Sequence, residues 1–125
     1  MTTYFISGHL HLSDEEFQKH YIPWIDRALQ NSENGFVVGD GQGVDTMAQT
    51  YLQNKTTQVT VYHMFTSPRN NVGPYRTKGG FVSDVERDCQ MTRDSDQDIA
   101  WIRPCKSERI SGTEGNLLRR RLFSL

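Results

Sequence analysis

With only two cysteines, Cys89 and Cys105, the chain has too few for a disulfide scaffold, and their spacing is not that of a metal-ligand pair. No apolar run is long enough to span a bilayer, so no membrane partner is expected. A basic excess is also missing. The 14 lysines and arginines stand against 15 aspartates and glutamates, for a formal net charge of -1. Coating duplex DNA usually needs a strong basic face, so duplex nucleic acid is not an expected partner. The first residues run straight into Tyr4-Phe5-Ile6 without a charged lead or a signal-type segment. A cytoplasmic location with reduced thiols is the expectation. Repeats and low-complexity tracts are absent, which fits one compact unit over residues 1–125. A chain of this length can bury roughly two-thirds of the surface its unfolded form exposes.

What is present is organised around Gly39-Asp40-Gly41-Gln42-Gly43-Val44-Asp45. An apolar run, Gly35-Phe36-Val37-Val38, precedes it and reads as a buried strand. Thr46 to Leu52 follows and reads as a helix. Glycines at 39, 41 and 43 permit a tight turn and a close approach of a ligand to the main chain. Their spacing is G-x-G-x-G, which is neither the dinucleotide fingerprint nor a P-loop. A tight turn at the sheet edge is the competing reading.

The rest of the chain alternates in the same way. Tyr4 to Ser7 reads as a first strand, and Ser7 to Leu12 as its exit loop. Ser13 and Glu16 form a capping box that starts a helix. Phe17, Tyr21, Trp24, Ile25, Ala28 and Leu29 recur at helical spacing as its core face, with a kink or restart expected at Ile22-Pro23. Gln58 to Met64 is rich in β-branched residues and reads as a third strand. Thr66 to Gly80, with two prolines and three glycines, reads as a long irregular stretch. A helix is predicted over Val82–Thr92, a strand over Ile99–Ile102 and a last helix from Ser111. This alternation predicts an α/β fold, a Rossmann-like three-layer sandwich with a mainly parallel sheet of four or more strands. Ligands of such sheets sit outside the carboxyl ends of the strands, where the loops Ser7–His11, Gly39–Asp45, Thr66–Gly80 and Arg103–Gly115 would converge.

Several side chains in these loops suit ligand chemistry. Ser111-Gly112-Thr113, preceded by Lys106 and Arg109, offers hydroxyls, helix-start N–H groups and cations for a phosphate. Glu114 in its first turn competes for the same dipole, and an ordinary N-cap is the plainer role. Asp40 and Asp45 would then be left to accept from ribose hydroxyls or base nitrogens; Asp45 can also simply cap its helix. His9-x-His11 lacks a third metal ligand, so no metal is expected, and neither is a cofactor. Arg87-Asp88 reads as a surface charge pair and Trp101 as core.

Taken together, Ser7-Gly8, Gly39-Asp40-x-x-Gly43-x-Asp45 and Ser107-x-x-x-Ser111-Gly112-Thr113 resemble the SLOG superfamily. That group includes YspA-like proteins, the lonely-guy phosphoribohydrolases and the DNA-processing protein A group. Tyr51-Leu52, Pro68-Arg69-Asn70 and Met91-x-x-x-Ser95-Asp96 are most similar to the YspA-like branch. The resemblance implies a Rossmann-like domain, its first strand central and flanked by the second and the last, that binds a nucleotide or nucleotide-derived molecule. Its ligand residues would be Ser7, Gly8, His9, Gly39, Asp40, Gly41, Gly43, Asp45, Arg69, Ser111, Gly112 and Thr113. One departure weighs against hydrolysis: where the phosphoribohydrolases carry a catalytic Glu, this chain has Asn116, which cannot act as that acid or base.

Three functions follow as expectations. The first is a nucleotide sensor or binding domain, possible as a homo-oligomer. The second is an N-glycosidase acting on nucleosides or nucleotides, with Asp40, then Asp45, then Glu114 as the working carboxylate. The third is a protein-interaction module without a small ligand, using the Thr66–Gly80 stretch and its Tyr75.

Overall fold

The structure is a computed structural model that describes residues 1–104 of the 125. Among the described residues nine elements follow in order: β1 (Thr3–Ser7), α1 (Asp14–His20), α2 (Ile22–Leu29), β2 (Gly35–Gly39), α3 (Val44–Leu52), β3 (Val59–Met64), β4 (Arg76–Phe81), α4 (Asp84–Asp94) and β5 (Gln97–Ala100). The five strands form one sheet in the order β4-β3-β2-β1-β5, and every neighbouring pair is parallel. β1 lies between β2 and β5, the strand order that the resemblance implies.

Helices cover both faces. Ile6, Val38, Val61 and Ile99 point to one face, where Phe17, Tyr21, Ile25, Ala48 and Leu52 of the first three helices cover them. Phe5, Val37 and Tyr62 point to the other, against Met91 of α4 and Phe81. The reason is topological. Successive connections from β1 to β4 step one way along the sheet, whereas β4 to β5 steps back across it. With crossovers of one hand, the reversed step puts its helix on the opposite face.

The capping box is present: Ser13 Oγ accepts from Glu16 N–H, and Glu16 returns the bond to Ser13 N–H. The interruption at Pro23 is a break between two helices, with the proline in the first turn of α2, where its missing N–H costs nothing. Trp24 falls on the outer side of α2 and is 43% exposed, so it does not belong to the core face.

The stretch Thr66–Gly80 is not wholly irregular, because its end is the edge strand β4. Arg-Thr-Lys-Gly-Gly reads as loop because an edge strand with one exposed flank needs no apolar alternation. Its place is set by pairing with β3, from Thr60–Arg76 to Met64–Phe81, with a bulge that sets Gly79 and Gly80 against His63. Glycine is required at 79, since a Cβ there would lie 2.1 Å from the His63 ring. The segment between β3 and β4 crosses over without a helix. Gln49 of α3, fully buried, anchors it by donating to Asn70 O and accepting from Val72 N–H, while Tyr75 Oη donates to Gln49 O.

Candidate functional site

The glycine loop joins β2 to α3 at the carboxyl edge of the sheet. Gly43 adopts a positive φ of 69°, and a Cβ there would lie 2.3 Å from the His9 carbonyl oxygen. The close approach it allows is to the β1 exit loop: His9 O accepts from Val44 N–H, the first amide of α3. At Gly39 a Cβ would lie 2.6 Å from Asp45 Oδ2. The room that glycine leaves at 39 and 43 is thus filled by the protein itself.

Asp45 does not cap its helix. The N-cap is Gly43, with no side-chain bond, and Asp45 turns back to accept from Gly41 N–H at 3.0 Å. Burial pushes its carboxyl up to about 6, further raised by Asp88 and Asp40 and opposed by the Gly41 N–H and the Arg87 charge.

Asp40 is buried and carries two arginines. Arg69 approaches it bidentately, through Nε to Oδ2 and Nη2 to Oδ1, and adds its backbone N–H to Oδ2 at 2.8 Å. Arg87 Nη1 donates to Oδ1 at 2.9 Å. Burial alone would raise this carboxyl, but the Arg69 hydrogen bonds and the two positive charges outweigh it and hold it below its ordinary value. Asn70 completes the clamp by donating to the Asp40 carbonyl. Arg87 is therefore no surface pair with Asp88. It is buried and also meets Asp84 and Asp88 at 3.4 Å. The sign of this was its position four residues before Met91, on the face of α4 that packs inward.

On the other side of β1 the joints are mostly uncharged. Tyr21 Oη donates to Ser7 O and accepts from Trp101 N–H, tying the ends of β1 and β5 together. Burial raises its phenol well above the ordinary range. Gly8 makes room for that hydroxyl, which would sit 2.0 Å from a Cβ. The Ser7 hydroxyl is buried without a hydrogen-bond partner among the described residues. His9 Nε2 accepts from Arg103 N–H at 2.8 Å, so its proton belongs on Nδ1 when the ring is neutral. Burial and the Arg103 charge lower its pKa, with Glu16 opposing. Trp101 packs partly buried against the core and is also a stacking platform: His20 lies flat on it at 3.9 Å and His9 meets its edge.

An open cleft of about 750 Å³ lies between these two halves, bounded by the β1 exit loop, the start of α1 and the glycine loop. Leu10, Leu12 and Met47 give it apolar surface, and Gln42, Thr46, Asn70, Asp14, Glu16 and Arg103 a polar rim. It lies beside the exits of β1 and β5, where the strand order reverses, the place where open parallel sheets take ligands.

The structure thus gathers Ser7, Gly8, His9, Gly39, Asp40, Gly41, Gly43, Asp45 and Arg69 along one sheet edge. Only Gly43 of these lines the cleft itself. Ser111, Gly112, Thr113 and Glu114 lie outside the described residues. Arg87, read from the sequence as half of a surface pair, holds the edge together with Gln49 and Tyr21, neither of which the sequence marked as a site residue. Among the described residues no group of three or more His, Cys, Asp or Glu is placed to hold a metal ion. Nor is any helix among them long and apolar enough to cross a membrane. The chain matches no family profile, no curated protein and no solved structure. The fold is α/β, and its described residues form a five-stranded, all-parallel, Rossmann-like sheet.

Proposed function

We propose that this chain is a SLOG-type domain that binds a nucleotide or nucleotide-derived molecule at the carboxyl edge of its sheet, as a sensor or binding domain. The observation that carries this is the cleft beside the strand-order reversal, with apolar surface for a flat ring and hydrogen-bonding groups around it. Ser111, Gly112 and Thr113 complete the proposal as phosphate ligands. A thermal-shift panel of nucleosides and of mono-, di- and cyclic nucleotides tests it. A ligand that binds the native state raises the melting temperature. No shift at millimolar concentration sinks the reading and favours a protein-interaction module.

One observation supports a second reading, N-glycosidic cleavage. Asp45 has a carboxyl raised to about 6, near the range useful for proton transfer. Asp40 is less suited to that work, because Arg69 and Arg87 already occupy its oxygens. Release of free base from nucleosides or nucleotides would establish turnover. Loss of that release in Asp45→Asn, with binding retained, would assign the carboxyl. Loss in Asp40→Asn alone would assign Asp40 instead.

A further inference from the structure

β4 ends the described sheet, and its residues Arg76 to Gly80 are all exposed. An edge strand of this kind is a template for another strand, unless a lysine or a bulge blunts it. β4 has both, yet neither stands in the way. Lys78 is folded back onto the sheet, its Nζ donating to Asp94 at 2.9 Å and lying over the Tyr62 ring. The bulge falls at Gly79 and Gly80, which bring no side chain to the edge.

Phe65 supplies a second observation. It closes the end of β3 against β4, its N–H donating to Phe81 O and its carbonyl accepting from Gly80 N–H. It does so at a φ of 56°, a left-handed conformation that strains a bulky side chain and that glycine adopts at little cost. Burial does not offset that strain, since Phe65 is 63% exposed. Val82, directly after β4, and Val85, in the first turn of α4, are exposed as well. Single exposed apolar residues are ordinary, but these three gather at the carboxyl end of one open strand.

Charge along this edge names the occupant. Arg76 and Lys78 lie in the first half of β4, whereas Asp84 and Glu86 follow its end. The edge is therefore basic at one end and apolar and acidic at the other. A second copy laid antiparallel across a two-fold axis meets it in the opposite order, so the basic half of each strand faces the acidic end of its partner. A parallel copy in the same register would set like charges together. We propose that β4 is a dimerisation edge, pairing antiparallel with β4 of a second copy and covering Phe65, Val82 and Val85.

The test is sedimentation velocity of the full chain from micromolar to near-millimolar concentration, in low salt. A reversible dimer is expected, and a chain that stays monomeric throughout overturns the proposal. Phe65→Asn removes the ring and keeps a residue that tolerates the left-handed backbone. It should weaken dimerisation about tenfold or more, as loss of an aromatic anchor does, with circular dichroism confirming that it folds. Arg76→Glu should also weaken the dimer, and adding Glu86→Lys should restore it; Asp84 is left alone because it meets Arg87 within its own chain. A dimer insensitive to both Phe65→Asn and Arg76→Glu forms through another surface, residues 105–125 included, and overturns the proposal. Failure of Glu86→Lys to rescue Arg76→Glu overturns the antiparallel two-fold pairing.

Discussion

The two halves of the carboxyl edge solve the same problem with different chemistry. Both must tie a strand exit to a segment remote in sequence. On the β2 side the tie is a buried carboxylate, Asp40, with arginines from positions 69 and 87. On the β1 side it is a neutral phenol, Tyr21, between Ser7 and Trp101. A buried charge pair depends on every partner being present, because any group left alone is charged and out of water. A neutral hydroxyl bridge contributes less and leaves less behind when it is removed. The glycine loop is thus held by the more fragile device, and the β5 exit by the more tolerant one.

Breaking the charged side should give the largest effect. Asp40→Ala leaves Arg87 buried without its main partner and should cost about 3–5 kcal/mol in urea denaturation. Arg69→Ala should cost far less, about 1 kcal/mol or below, because that side chain is 54% exposed and water can replace it. A loss equal to that of Asp40→Ala would mean that the outer arginine, not Arg87, is the main partner. On the neutral side, Tyr21→Phe keeps the ring and deletes two hydrogen bonds, for an expected loss of about 1–3 kcal/mol. A cost above that of Asp40→Ala would reverse the comparison.

Next comes a gain. Asp45 has its carboxyl raised from 3.8 to about 6 in the folded chain, so folding favours its protonated form. Stability from this group is fully present below pH 4 and falls as pH rises to about 6. Asp45→Asn keeps an acceptor for Gly41 N–H without the charge. It should stabilise the protein by about 1–2 kcal/mol at pH 7 and by nothing at pH 4. Denaturation at the two pH values checks this, and a loss at pH 7 would mean that Arg87 needs the Asp45 charge. Asp40 runs the other way: its carboxyl is held low, so its contribution persists above the ordinary carboxylate range and is lost as pH falls through the lowered value.

The smallest effect should be at the exposed Glu16–Arg103 pair. Glu16, held down to about 2 by Arg103 and the Ser13 amide, sits at the surface where water and salt compete. Glu16→Gln should change the melting temperature only slightly in low salt, and not at all in high salt. A large change would place the pair among the joints that hold the edge.

Much of this architecture was legible in the chain. Apolar runs at Tyr4–Ser7 and Gly35–Val38 and the β-branched run Gln58–Met64 became β1, β2 and β3, because strands buried on both faces are largely apolar. The Ser13–Glu16 box and Pro23 marked helix starts through local backbone chemistry, which needs no tertiary context. The glycine turn and the gathering of loops on one edge followed from parallel alternation. What only the tertiary structure decided depends on partners far away in sequence. β4 is a strand because β3 offers it an edge, not because of its own polar residues. Arg87 is buried because Asp40, 47 residues away, neutralises it. The Gly43 turn serves His9, Asp45 serves Gly41, and Gln49 serves the crossover segment. Local patterns report what each segment buries, whereas charge and hydrogen-bond pairing report what it meets, and that is fixed only when the sheet closes the distance.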